Sequence, residues 1–201
     1  MGAAFCVKNN NKMEEYYYIG VDNGVSGSIA VVDSRGRMIF YGPTPVEPRQ
    51  TYTKSTDSIR RLMPHKFAEI LRPYVGNAVL VLERPATGPH MGWKAIQSSV
   101  RCDEAQNVVM EVLGIKFEYV DSKTWQKVML PPPKSVPRAS KGATPAEKKA
   151  LDARRKDVKK QTKISSLEIG RRLFPKQDFG NTKASDADAA LIAEWARLNK
   201  R

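Results

Sequence analysis

The 201-residue sequence predicts one α/β domain built on a five-stranded mixed sheet, an antiparallel three-strand meander plus two parallel strands, flanked by helices. Three observations carry that expectation. Between Glu15 and Tyr41, short apolar runs alternate with turn-forming residues too closely for helices to intervene. "NAVLVLE", Asn77 to Glu83, is a continuous apolar run of the kind that a parallel strand buried on both faces requires. Stretches with helical spacing lie on either side of that run, and the length suits one sizeable core rather than two.

Taken in order, residues 1–13 with their polar Asn10-Asn11-Lys12 tract read as a disordered leader, and 14–200 as the domain. The opening Met-Gly does not complete a myristoylation signal, because Cys6 stands where Ser or Thr is needed. Glu15 to Asp22 is the first strand, Gly24 to Gly27 a tight turn, and Ser28 to Asp33 the second strand. Asp33 to Gly36 is turn chemistry before the third strand, Arg37 to Tyr41. A proline-rich loop, Gly42 to Thr56, leads to a helix over Ser58 to Pro73, whose apolar spacing Pro64 disturbs. Beyond Glu83, a loop containing Gly88, Gly92 and Trp93 precedes a helix from Lys94 to Leu113, stopped by Gly114. Lys116 to Val120 is the fifth strand, and Asp121 to Leu130 a short capped helix ended by three prolines. Pro131 to Lys163 holds eleven Lys or Arg against three acidic residues, +8 of the chain's +13, and reads as a basic insertion at about 131–162 whose order without a partner is open. Amphipathic helix resumes from Lys163 to Phe174, and after a loop at Pro175 to Lys183 the last helix runs from Asp186 to Leu198.

The charge, 34 Lys and Arg against 21 acidic residues, calls for a polyanionic partner. No apolar run approaches the roughly 20 residues that span a bilayer, and there is no signal-peptide core near the start. Two cysteines and two histidines build neither a disulfide framework nor a zinc site, so the chain reads as a soluble, intracellular protein in a reducing compartment.

A right-handed crossover from the meander lays Asn77–Glu83 parallel to the first strand. Asp22 and Glu83 then end adjacent strands at the edge where α/β sheets collect ligands, and a last helix pointing there adds Asp186 and Asp188. Converging carboxylates without His or Cys favour hard cations, Mg²⁺ or Mn²⁺. Two such ions roughly 4 Å apart suit phosphodiester cleavage, and the basic chain matches a nucleic-acid backbone.

"IGVDNGVSGSIAVVD", "VLVLERP", "WQKVML" and the "RRLFP…KASDADAALIAEWA" ending together resemble the RuvC-type Holliday-junction resolvases of the RNase H-like superfamily, particularly their viral and phage branch, over residues 16–198. The resemblance implies an RNase H-like fold and a metal-dependent, structure-selective DNA endonuclease. Such enzymes are homodimers that cut four-way junctions with paired nicks through two Mg²⁺ or Mn²⁺ ions, without a nucleotide cofactor or a membrane. Asp22 matches the family's first-strand Asp, Glu83 its fourth-strand Glu and Asp188 its last acidic residue. Where the family commonly has a further acidic residue or His one turn before that Asp, this chain has Ser185; Asp186 is the extra carboxylate, and either the helix starts between Asp186 and Asp188 or Asp186 is no ligand. Lys163 resembles a family lysine near the scissile phosphate. Expected DNA contacts are Arg84, Trp93, Lys94, Lys123, Arg154, Arg155, Lys156, Lys159, Lys160 and Lys163, with Gly24 and Gly27 keeping the backbone slim where a strand approaches.

Plainer readings stand beside these. Asp22 alone would serve as a turn residue, and Ser185 to Asp188 resembles a capping box. The basic run and Lys163 would serve as solvated helix faces, and Trp93, like Trp125 and Trp195, as core. Cys102, His65 and His90 carry no functional signal, and Asp33 is an ordinary turn residue. A less selective nuclease acting on flaps or hybrids, and a catalytically silent nucleic-acid-binding module, are the alternative functions.

Overall fold

A computed structural model of the chain describes residues 15–50, 58–85, 92–132, 135–137, 140, 142–180 and 186–200. The leader, Gly88, His90 and Ser185 lie outside them. The meander is β1 (Tyr17–Val21), β2 (Ser28–Asp33) and β3 (Met38–Pro43), followed by β4 (Val46–Gln50), β5 (Ser58–Leu62), α1 (Pro64–Leu71) and β6 (Ala78–Glu83). Then come α2 (Trp93–Leu113), β7 (Phe117–Val120), α3 (Ser122–Met129), α4 (Pro145–Leu173) and α5 (Asp188–Asn199).

The main sheet has the order β3-β2-β1-β6-β7, with β1 antiparallel to β2 and parallel to β6, as the sequence predicts. Its central strands are apolar throughout because both faces are covered. Tyr18, Ala30, Val32 and Val81 face a core shared with α5, whereas Ile19, Val21, Leu80 and Leu82 face one containing Phe67 and Leu71 of α1 and Cys102, Val109 and Met110 of α2.

The region before β6 departs from the sequence reading. Ser58–Leu62 is a strand paired antiparallel with β4 in a separate two-stranded sheet, and the helix begins only at Pro64. Proline lacks an N–H and disfavours helical geometry in the residue before it, so it opens a helix rather than sitting inside one. Met63 accordingly is extended.

Two helix boundaries and one cap also differ from the sequence reading. α4 starts at Pro145, behind a capping box between Thr144 and Glu147, and continues unbroken for 29 residues. The basic run from Pro145 to Lys163 is thus its first half, which apolar periodicity did not reveal because from Pro145 to Gln161 only Leu151 and Val158 are as much as half-buried. Asp121 sits at the N-cap of α3 but makes no side-chain cap; its carboxylate instead accepts from Arg84 Nε at 3.0 Å. α5 starts at Asp188, leaving Asp186 outside the helix.

Asp33 does more than turn the chain. Fully buried, it accepts from the Arg35 and Arg37 backbone N–H groups at 2.9 and 2.8 Å and from Arg37 Nε at 2.6 Å. Burial pushes its pKa up, but these hydrogen bonds outweigh it and hold the carboxyl below its ordinary value.

α5 lies against β1 and β2 through alanines, and Gly20 lets it come that close: a Cβ there would sit 2.2 Å from the Ala189 carbonyl oxygen and 2.4 Å from the Ala193 nitrogen. Gly170 does the same for α4, where a Cβ would meet that of Ala187 at 2.4 Å. Because backbone cannot swing aside as a side-chain tip can, Gly20→Ala is expected to cost about 3 kcal/mol. Gly142→Ala, whose Cβ would meet open space, should change stability by less than about 0.5 kcal/mol. Urea denaturation of both variants measures the difference.

Candidate active site

The parallel register pairs Val21 with Leu82, and one residue further it sets Asp22 beside Glu83. α5 enters over the same edge. Carboxylate oxygens of Asp22, Asp186 and Asp188 lie within 4.8 Å of one another. The helix start at Asp188 resolves the spacing problem of two acids two residues apart: they need not share a helical face, because only Asp188 is helical. Glu83 is outside this tight trio but faces the same space, and with Asp22, Arg84, Asp121 and Lys123 it lines a cleft of about 500 Å³.

The cluster is electrostatically uncomfortable by itself. Burial, then Asp188, Glu83 and Asp186, raise the pKa of Asp22 well above its ordinary value. Burial and the Asp188 charge push Glu83 up to about 7, and burial and Asp186 push Asp188 up to about 6. Polar neighbours offset part of this. The Ser166 hydroxyl, on a fully buried residue of α4, donates to Asp188 Oδ1. Ser28 Oγ donates to Asp186 Oδ1 at 3.3 Å, and Tyr41 OH to the Asp186 carbonyl at 2.6 Å. Burial and the Asp186 charge push the Tyr41 phenol up to about 12, so it stays a donor. Trp125, fully buried, and Ser122 both favour the charged form of Glu83, although the indole N–H falls short of a fully formed hydrogen bond.

Lys163 brings a cation to the cluster, its Nζ 3.7 Å from Asp186 Oδ2. Lys163, Ser166 and Gly170 recur at i, i+3 and i+7, which makes them the face that α4 turns toward the site. A small, polar stripe in a charged helix was the available signal for Ser166, and sequence reasoning took only its lysine.

The residues following the two strand-end carboxylates are tied together. Asn23 Nδ2 donates to Asp103 Oδ1 at 2.8 Å, and Tyr119 OH to Asp103 Oδ2 at 2.9 Å. Arg84 lies 5.0 Å over the Tyr119 ring. Gly27 has an internal reason to be glycine: a Cβ there would stand 1.9 Å from the Asp22 carbonyl oxygen, while Gly24 has a φ of +126°.

The sequence-predicted residues therefore divide. Asp22, Asp186 and Asp188 meet, with Glu83, Arg84, Lys123 and Lys163 around them. Trp93 and Lys94 are exposed at the start of α2 and line a different cleft, so Trp93 is no core residue, whereas Trp125 is core and Trp195 half-buried. Arg154, Arg155, Lys156, Lys159 and Lys160 are exposed along α4, Arg155 paired with Asp152 at 3.1 Å.

Three hard oxygen donors on short side chains, two of them held by serine hydroxyls, fit a divalent cation such as Mg²⁺ or Mn²⁺. Asp22, Asp186 and Asp188 are the residues that would hold it, with Glu83 facing them.

No protein-family model matches the chain, and no curated protein matches it. Among solved structures, it is similar to RuvC of T. thermophilus in complex with Holliday junction substrate. The two share 11% identity over 91% of this chain and 96% of that one, with a TM-score of 0.55. A second Thermus thermophilus RuvC structure aligns over 92% and 95% at 11% identity, with a TM-score of 0.45. The chain has the RuvC-like, RNase H-like fold. Among the described residues, no helix is long and apolar enough to cross a membrane.

Glu83 and Asp188 have folded-state pKa values above their unfolded ones. The native chain then binds more protons than the unfolded chain, and their contribution to stability falls as pH rises through these values. With chelator present, the thermal midpoint is expected to fall between about pH 5 and pH 8. Mg²⁺ or Mn²⁺ should raise it more at the upper end than at the lower. Asp22→Asn should raise the chelated midpoint at pH 8 and remove the metal response; scanning fluorimetry reads all three, and a flat chelated profile would contradict this account.

Proposed function

We propose that the chain is a metal-dependent, structure-selective DNA endonuclease that resolves four-way junctions as a homodimer. The observation that carries the reading is the convergence of Asp22, Asp186 and Asp188 within 4.8 Å, facing Glu83, at the ligand-collecting edge of a RuvC-like sheet in a chain of net charge +13. Capping does not account for it: α5 shows no side-chain cap, and Asp22 arrives from another element.

Asp22, Asp186 and Asp188, with Glu83 opposite, would hold a pair of Mg²⁺ or Mn²⁺ ions. When bound, these ions lower the pKa of water and neutralise charge on the leaving oxygen of a phosphodiester. The chain's own groups set the stage. Ser166 and Ser28 hold two of the carboxylates by hydrogen bonds, and such outer contacts are worth about 10- to 100-fold in metal affinity or activity. Lys163 restrains Asp186 and offers a positive charge to the phosphate beside the cut. Arg84 and Lys123 receive the neighbouring backbone at the cleft rim. Arg154, Arg155, Lys156, Lys159 and Lys160 extend this positive surface along α4, giving salt-dependent affinity without sequence preference.

The second copy docks on α2. Val108 and Val112 stand one turn apart on α2, 50% and 81% exposed, and Val100, 45% exposed, lies two turns before Val108, an exposed apolar strip suited to a symmetric helix pair.

With Mg²⁺ or Mn²⁺, purified protein is expected to nick a synthetic four-way junction in preference to its linear arms, a flap and an RNA–DNA hybrid. Asp22→Asn and Glu83→Gln should abolish cutting, and Ser166→Ala should slow it about tenfold. Equal cutting of all substrates, or cutting that survives Asp22→Asn, would sink the proposal. Sedimentation should give twice the chain mass. Val108→Glu with Val112→Glu should yield monomers that nick singly while keeping the metal-induced thermal shift.

A further inference from the structure

A second cleft, of about 1420 Å³, separates the β4–β5 hairpin from the N-terminal half of α2. Arg49, Arg60 and Arg61 of the hairpin and Lys94 and Arg101 of the helix line it from both sides. The only carboxylate among its described lining residues is Glu47, which Arg49 pairs at 2.6 Å. It is larger than the roughly 300–1,000 Å³ of a small-molecule pocket and far more cationic than such pockets are. Trp93, 70% exposed, stands at its helix side, where α2 begins.

We propose that this cleft binds an unpaired polynucleotide strand. The inference rests on the nucleic-acid reading above and adds a substrate feature to it. Guanidinium groups match phosphate oxygens in pairs and also stack on bases, whereas an exposed indole offers a face that only an unstacked base can use. A duplex hides its base faces and would leave Trp93 without a partner. The two clefts are separate but meet at the turn after β1. The lining of the cationic cleft includes Val25, in the turn that follows Asp22, while Asn23 of the same turn lines the acidic cleft. A strand passing the carboxylates thus meets the arginines next, and a branch point, where strands part, supplies an unpaired segment at the required place. Selection for branched DNA then comes from this cleft, and the cutting chemistry from the carboxylates.

The test separates binding from cutting. A fluorescent oligo(dT) 15-mer and a blunt duplex are titrated by anisotropy against the full chain in chelator. Arg60→Glu with Arg101→Glu, and separately Trp93→Ala, should weaken oligo(dT) binding about tenfold. Duplex binding should change less than about threefold. Arg60→Gln with Arg101→Gln, which keeps length and polarity, should lower the magnitude of the salt slope for oligo(dT) by about 1.4 if both residues meet phosphates. Equal losses for both probes, or an oligo(dT) affinity unmoved by all three variants, would overturn the cleft assignment. Junction cutting by the parent chain is scored independently, so an inactive chain with the expected oligo(dT) behaviour refutes the endonuclease and leaves the cleft standing.

Discussion

The site depends on one close contact, the backbone of α5 against the missing side chain of Gly20. β1 delivers Asp22 to the sheet edge, and β6 delivers Glu83 one strand away in parallel register. Neither brings the other two carboxylates. They arrive because α5, mostly buried and rich in alanine, lies directly on β1 with its first turn over the end of that strand. Gly170 repeats the device one layer out, so α4 passes Ala187 closely enough for Ser166 to reach Asp188. Small residues here set distances that hydrogen bonds and charges then use.

Those distances create an electrostatic problem that the protein alone only half solves. Four carboxylates face one another with burial opposing the charge of Asp22, Glu83 and Asp188. Serine hydroxyls and Lys163 compensate locally, but most of the excess positive charge lies elsewhere, on the exposed half of α4 and in the arginine-lined cleft. Negative charge collects where cations are needed, and positive charge where polyanions would lie. The link from Asn23 and Arg84 through Asp103 and Tyr119 ties the ends of β1 and β6 to α2 and β7, restraining a site that repulsion would otherwise spread.

Much of this was legible in the chain. Apolar runs, turn residues and a right-handed crossover are local or nearly local signals, and they yielded the antiparallel meander, the parallel neighbourhood of the strands that end in Asp22 and Glu83, and the candidacy of Asp186 and Asp188. Three features were not legible, each for its own reason. The strand Ser58–Leu62 was taken for helix because its apolar residues continue a 3.6-residue spacing across Pro64. The first half of α4 was missed because a helix exposed all round has no apolar stripe, although Thr144 and Glu147 spelled its start. Asp121 was read as a cap because local sequence does not show that Arg84 competes for its carboxylate.

By itself the sequence determined that Asp22 and Glu83 end apolar strands and where the turns of the meander fall, since each follows from neighbours within a few positions. Only the tertiary structure decided that α5 begins between Asp186 and Asp188 so that both reach Asp22, that Ser166, Ser28 and Trp125 face the acids, and that Trp93 opens a separate cationic cleft. The physical reason is that contacts between distant segments depend on how closely backbones approach. At Gly20 and Gly170 that approach is set by an absent methyl group, whose meaning appears only when the opposing helix is in place.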